Sequence, residues 1–317
     1  MTGPPPEPTA LQLAGPGLLP AIRRYGLATR PQFLTASFLP VLVGTAWGVR
    51  AAGPWDGWSF LLAAVAVLLL HAASNVLNDV GDEWSGSDRN NHERIYPFTG
   101  GSRFIQNGIL DARAMLRFSL GLFAAAVLFG AVLLWKQGWP VLMLGLTGLA
   151  LGSLYSLPRV ALAGLGIGEL AIGLAFGVLP VLGAAWLQGL PADATALLLS
   201  LPVAAWVTAI LLINEVPDRA ADAAAGKRTL PVRWGLRATV WLYGGLQASA
   251  LLFVVVWQQL ANLPFWVLLV PSALGLAGWR AARAIDGSRE QLAEAIRLTL
   301  LVHASGCLWL AACSLWA

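Results

Sequence analysis

Apolar residues gather into nine stretches, near 33–52, 59–79, 115–135, 139–157, 165–188, 195–214, 238–258, 264–284 and 292–316. A helix rises about 1.5 Å per residue, so about twenty residues cross a hydrocarbon core about 30 Å thick. The pattern predicts an all-α, polytopic membrane protein with about nine transmembrane helices. Only Lys136, Gln137 and Gly138 part the third stretch from the fourth. Composition agrees: 57% of the residues are hydrophobic and 11% charged, with a mean hydropathy of +0.69, whereas soluble domains carry about 25% charged residues.

The first twenty residues, MTGPPPEPTALQLAGPGLLP, set no basic segment ahead of an apolar one and do not resemble a cleaved signal peptide. They read as a disordered Pro-rich tail, leaving 21–317 as the transmembrane domain. Residues 20–32, PAIRRYGLATRPQ, mix Arg23, Arg24 and Arg30 with Ile22, Tyr25 and Leu27. They suit either a short helix at the headgroup level or a plain basic linker.

Charge supplies the orientation. The N-terminal segment and the connections after the second, fourth, sixth and eighth spans, with the adjoining helix ends, hold eighteen of the twenty Lys and Arg residues. Short cationic loops stay cytoplasmic, which predicts a cytoplasmic N-terminus, an external C-terminus and residence in the cytoplasmic (inner) membrane. The other side carries Trp55, Trp58, Trp135, Trp139, Trp186, Trp257, Trp266 and Trp316, expected at the outer interface. The net charge of +4 is accounted for by these loops and anionic lipid, without a nucleic acid partner. Cys307 and Cys313 match no metal spacing, and His71, His92 and His303 do not cluster, so no zinc or haem site is expected.

Two spans end in acid. After the second comes NVLNDVGDEWSGSD (75–88), and around the end of the sixth INEVPDRAADAAAGKRTLPVRWG (213–235). Asn75, Asp79 and Asp82 are spaced i, i+4, i+7, and Asn214, Asp218 and Asp222 are spaced i, i+4, i+8, so each trio stacks on one helical face. Carboxylates crowded on one face repel one another unless a cation lies between them, and oxygen ligands from Asp and Asn suit Mg2+. Magnesium is often held by one or two carboxylates together with substrate phosphates, which points to a phosphorylated lipid. Arg94 and Arg103 after the first block, and Lys227 and Arg228 after the second, are the candidate phosphate-binding cations. Pro217 either kinks the end of the sixth helix, freeing the Ile213 carbonyl, or starts the loop.

These blocks and the nine spans resemble the UbiA superfamily of intramembrane prenyltransferases, over nearly the whole chain from about residue 25. LYSLPRVALAGLGIGELAIGLAFGVLPVLG (154–183) and AAGKRTLPVRWG (224–235) are similar to its menaquinone-pathway branch, which prenylates 1,4-dihydroxy-2-naphthoate. One stretch departs: NNHERIYPFTGGSRFIQNGIL (90–110) stands where that branch carries a shorter G-P-x-R type segment.

The resemblance implies magnesium-dependent transfer of a polyprenyl group from polyprenyl diphosphate to an aromatic acceptor, on the cytoplasmic side. It implies that Asn75, Asp79, Asp82, Asn214, Asp218 and Asp222 hold metal and diphosphate. Lys227, Arg94 and Arg103 would hold diphosphate oxygens, with Arg228 beside them. Tyr155 would steady the allylic cation or orient the acceptor, or else anchor the interface. Glu169, an acid inside a span, would bind the acceptor or brace a neighbouring helix. The apolar, Gly- and Ala-rich third and fifth spans would either line the isoprenoid tail or serve helix–helix packing through their small residues.

A transporter, an enzyme with the CDP-alcohol phosphotransferase motif and a purely structural protein are the competing readings. Acids at one membrane face rather than the midplane argue against the first. Glu83 and Trp84 after Asp82 break the motif of the second. The third leaves both acidic trios without a purpose. Among prenyl acceptors, 4-hydroxybenzoate and homogentisate stand as alternatives to the naphthoate.

Overall fold

A computed structural model describes residues 6–156, 162–191 and 194–316, and all the regular structure among them is helical. Helix α1 (Leu18–Ala28) comes first, which decides for a short helix in residues 20–32. Then follow α2 (Thr35–Ala52), α3 (Gly57–Ser85), α4 (Ala112–Gln137), α5 (Pro140–Ser156), α6 (Gly168–Leu187), α7 (Ala194–Ala224), α8 (Leu230–Leu260), α9 (Leu269–Arg283) and α10 (Arg289–Trp316). Helices α2 to α10 track the nine apolar stretches in order. Eight of them, counting the short 3-10 turns that lead into α2 and α9, are long and apolar enough to cross a membrane, and α5 is a shorter apolar helix. The chain is a multi-pass membrane protein.

Two helices run well past the C-terminal ends of their apolar stretches. α3 continues to Ser85 and α7 to Ala224, so the acidic trios ride on helix rather than loop. α3 ends at Gly86 and α7 just before Gly226, both at φ 77°, a left-handed conformation that glycine adopts without steric cost. Pro217 lies inside α7 and does not start the loop.

Small residues let the helices approach closely. A Cβ on Gly44 of α2 would collide with the Val181 backbone of α6, and one on Gly177 would collide with Ala204 of α7. These contacts seat α6 against α2 and α7, the usual packing device where lipid removes the hydrophobic drive between helices. The largest buried cluster joins Leu39 and Val43 of α2, Val181 of α6, Trp206 of α7, Val254 and Trp257 of α8, and Leu310 of α10. Trp257 is therefore not the interfacial residue expected from the sequence. It is fully buried, edge-on to Trp47 and Trp309.

α6 carries a π-helical segment, Gly173–Val178, between two α-helical parts. Such wide turns recur at functional sites, and this one presents Phe176 to the cavity described below. At the opposite end, Asp56 caps α3 and takes Lys136 of α4 at 2.5 Å. Burial alone would raise the Asp56 carboxyl, but the hydrogen bonds from Lys136 and Ser59 win and hold it at about 2.

The segment expected to be a tail makes specific contacts where it is described. Glu7 pairs with Arg94 at 2.6 Å, Leu13 is buried, and Arg24 donates to the Leu13 and Gly15 carbonyls. The boundary drawn at residue 20 falls inside α1.

Candidate active site

One-face spacing on α3 and α7 brings the two acidic blocks together at one end of the bundle. Lys227, just beyond Gly226, joins them: its Nζ lies 2.5 Å from Asp82 Oδ1 and 3.3 Å from Asp222 Oδ1. Burial would lower the Lys227 ammonium, but Asp82 and Asp222 outweigh that and raise it above its ordinary value.

Residues 86–111 fold over this end as a cap laced to both blocks. Asn91 Nδ2 donates to Asp218 Oδ1 at 2.6 Å and the Gly100 amide to Oδ2 at 3.2 Å. Ser87 Oγ donates to Asp222 at 2.8 Å, and the Ser102 amide to Asp79 at 3.1 Å. Ile95 and Phe98 of the cap pack on Ile210 and Ile213 of α7, anchoring it with apolar contacts as well.

Beneath the cap lies a cavity of about 180 Å³. Of the residues expected from the sequence, Asn75, Asp82, Tyr155, Asn214, Asp218, Asp222 and Lys227 line it. Asp79 stands just behind, buried, with Arg30 at 3.9 Å. A second cavity of about 350 Å³ is almost wholly apolar and runs between α3, α4, α5 and α6. The two share His71, Ser74, Gly152, Ala175 and Phe176, so they form one cleft with a charged end and an oily end. At the junction the Phe176 ring centroid is 4.6 Å from that of His71, whose Nδ1 is held by Ser37 Oγ at 2.5 Å.

Three expected cations do not reach the cavity lining. Arg94 turns to Glu7 and the Asn91 carbonyl. Arg103 is buried under the cap, where it donates to the Asp88 carbonyl at 2.5 Å. Burial, then the neighbouring Arg94, lowers its guanidinium from the ordinary value. Arg228 is exposed, and its backbone amide bonds the Gly164 carbonyl. Glu169 accepts from the Leu230 amide at 2.9 Å and so braces α6 against the start of α8.

Other residues arrive unannounced. Asp88 is buried at the cavity wall because Gly86 ends α3 and turns the chain back. Burial and the nearby carboxylates of Asp82 and Asp79 push its carboxyl well above the usual range. The glycine in WSGSD was the local signal for that turn. Arg30 lies far along the chain and only the packed structure brings it to the lining, whereas His71 and Asn78, at i−4 and i+3 from Asn75, share the face of the first trio and could have been found by the same spacing.

The donor set fits a magnesium ion. Asp79 Oδ1, Asp88 Oδ2 and Asn214 Oδ1 are buried oxygen atoms with no hydrogen-bond partner, a costly arrangement that a bound cation relieves. Among the described residues no group of three or more His, Cys, Asp and Glu side chains is disposed to hold a metal ion by itself.

The family model described as the UbiA prenyltransferase family matches residues 37–310. The 1,4-dihydroxy-2-naphthoate octaprenyltransferase of Bacillus subtilis (strain 168) is 30% identical over 72% of this chain and 71% of its own. The protein of the same name from Mycobacterium tuberculosis (strain ATCC 25618 / H37Rv) is 32% identical over 82% of this chain and 86% of its own. A solved UbiA homolog from Archaeoglobus fulgidus, bound to GPP and Mg2+, superposes with a TM-score of 0.64 at 16% identity, covering 93% of this chain and 100% of that one.

Proposed function

Because the chain belongs to the UbiA prenyltransferase family and is a prenyltransferase enzyme, we propose that it moves a polyprenyl group from polyprenyl diphosphate to 1,4-dihydroxy-2-naphthoate. The observation that carries this reading is the single cleft. Its charged end suits a diphosphate and its apolar end an isoprenoid, and on this reading the reacting carbon lies beside the five shared lining residues. Relatives named for the naphthoate reaction support the acceptor.

Asn75, Asp79, Asp82, Asn214, Asp218 and Asp222, with Asp88 added to the set, would hold magnesium and the diphosphate. The ion supplies neutralisation of the leaving group's charge. Lys227 exchanges part of its pairing with Asp82 and Asp222 for diphosphate oxygens and stabilises charge as the C–O bond breaks. The cap residues Asn91, Ser87 and Ser102 hold the carboxylates in place. Arg103 supports Asp88 from behind, so its part is positioning.

Ionisation leaves an allylic cation that must meet the acceptor before water does. The apolar walls of the cleft exclude water, and Tyr155 and Phe176 offer aromatic faces that tolerate cationic character. We place this chemistry at the cytoplasmic side of the inner membrane, on the distribution of cations. The test incubates purified protein with Mg2+, geranyl or longer polyprenyl diphosphates, and a panel of 1,4-dihydroxy-2-naphthoate, 4-hydroxybenzoate and homogentisate. Mass analysis should find the prenylated naphthoquinol. Product from another ring alone would move the acceptor, and no product from any ring would reject the reading.

A further inference from the structure

Two buried oxygen atoms in the cavity lining are left over, besides the Arg30 Nε near Asp79, once the acidic trios, the cap and the cleft junction are accounted for. Glu215, between Asn214 and the rest of the second block, is 6% exposed and lines the cavity, and its Oε2 has no hydrogen-bond partner. Thr229 is 3% exposed and lines the same cavity, and its Oγ1 is likewise unpartnered. Thr229 occupies the N-cap position of α8, yet its side chain makes no capping hydrogen bond.

Both line the same cavity. Glu169, also buried, accepts from the amide of Leu230, the neighbour of Thr229. Tyr155 stands in the electrostatic range of both glutamates. Apolar Ala171 and Leu211 complete this wall. A buried oxygen without a donor is expensive, and native proteins keep such atoms where a ligand satisfies them.

We propose that Glu215 and Thr229 form the subsite for a hydroxyl group of the aromatic acceptor, with Glu215 Oε2 accepting the hydroxyl hydrogen. This rests on the prenyl-transfer reading and adds how the acceptor is recognised and oriented. Glu215 selects a donor, so a phenol fits and its methyl ether does not. The buried carboxyl groups of Glu215 and Glu169 offer an anion no positive partner, so an acceptor carboxylate faces away from this wall. A flat ring with a hydroxyl at one edge and a carboxylate elsewhere fits both demands. A site built to hydrogen-bond a substrate hydroxyl rejects the analogue lacking it far more strongly than an apolar pocket can discriminate by size.

The test measures equilibrium binding of 1,4-dihydroxy-2-naphthoate and its two monomethyl ethers to the purified full chain, without turnover. The proteins compared are wild type, Glu215→Ala, Glu215→Gln and Thr229→Val, each first checked for an unchanged thermal transition and unchanged binding of magnesium geranyl diphosphate. The expected result is a preference of at least tenfold for the free hydroxyl over one of the ethers in wild type. That preference should fall to within about twofold in Glu215→Ala, be weakened in Thr229→Val, and survive partly in Glu215→Gln, which keeps an acceptor oxygen. An equal preference in wild type and Glu215→Ala, or none in wild type, overturns the proposal. Should Glu215→Ala lose fold, the Glu215→Gln and Thr229→Val ratios decide alone, and wild-type ratios in both reject it. Discrimination by Glu215 without any prenylated product would reject the reaction and leave the subsite standing, whereas product with unchanged ratios would do the reverse.

Discussion

Lys227 Nζ lies 2.5 Å from Asp82 Oδ1, across 145 positions of sequence. This contact ties the end of α3 to the segment after α7, and with Asp222 it makes Lys227 the protein's own counter-charge for both blocks. Lys227→Met should lower kcat/KM for the prenyl diphosphate by about 10²–10³-fold, the usual effect of losing one group that stabilises charge in the transition state. It should also lower thermal stability in EDTA more than in magnesium, because the ion can replace the lost charge. Thermal unfolding in detergent under both conditions checks this.

Asp79→Asn and Asp218→Asn keep the shape of the side chain while removing charge from each block. Each should reduce prenyl transfer by at least about 100-fold with little change in folding. EDTA should stop the wild type, and magnesium should restore it. Full turnover in EDTA would remove the metal from the reaction.

The apolar cavity should set how long a donor is used well. Gly145 lines it, and a Cβ there meets open space. Gly145→Leu should leave geranyl transfer almost intact and cut the kcat/KM of longer donors by about tenfold, equivalent to losing burial of roughly two methylene groups. A uniform loss across donors would instead mean general disruption.

Orientation can be read by cysteine labelling. Ser87 is a poor probe because it is buried and bonded to Asp222, whereas His92, Ala224 and Ala51 are exposed. Cysteines at His92 and Ala224 should label only from the cytoplasmic side and one at Ala51 only from outside.

The acceptor's carboxyl should leave during transfer. The electron-rich ring attacks the allylic cation at the carbon that carries the carboxylate, and expelling carbon dioxide restores aromaticity. Naphthoate labelled at that carboxyl should release carbon dioxide in step with diphosphate. Retention of the label in the product would reject this route.

The bundle was legible in the sequence because spans are recorded locally, in runs of apolar residues that need no partner to be recognised. The acidic trios were legible for the same reason, since helical spacing alone puts Asn75, Asp79 and Asp82 on one face. The cap was not. The direction of Arg94, toward Glu7, and that of Asp88, toward the cavity, depend on turns at glycines and on contacts with distant segments. Trp257 misled for a related reason: an indole suits a membrane interface and a packed core alike, and only the neighbours Trp47 and Trp309 decide.

The turn at Gly86 governs more than the path of the chain. Had α3 run straight on, Asp88 would stand about 13 Å beyond Asp79 along the helix axis. Instead both carboxylates close on the same residue, with a Cβ at Gly101 meeting Asp79 Oδ1 at 3.0 Å and Asp88 Oδ2 nearer still. The mouth of the cleft thus gathers the carboxyl groups of Asp79, Asp82, Asp88, Asp218 and Asp222 in a small, buried volume against Lys227 and Arg30, where their crowding favours a bound cation. Such a site draws cations inward and turns bare polyanions away. On the prenyl-transfer reading the expected consequence is that metal-free pyrophosphate competes weakly while its magnesium chelate competes well, a difference that added salt should narrow.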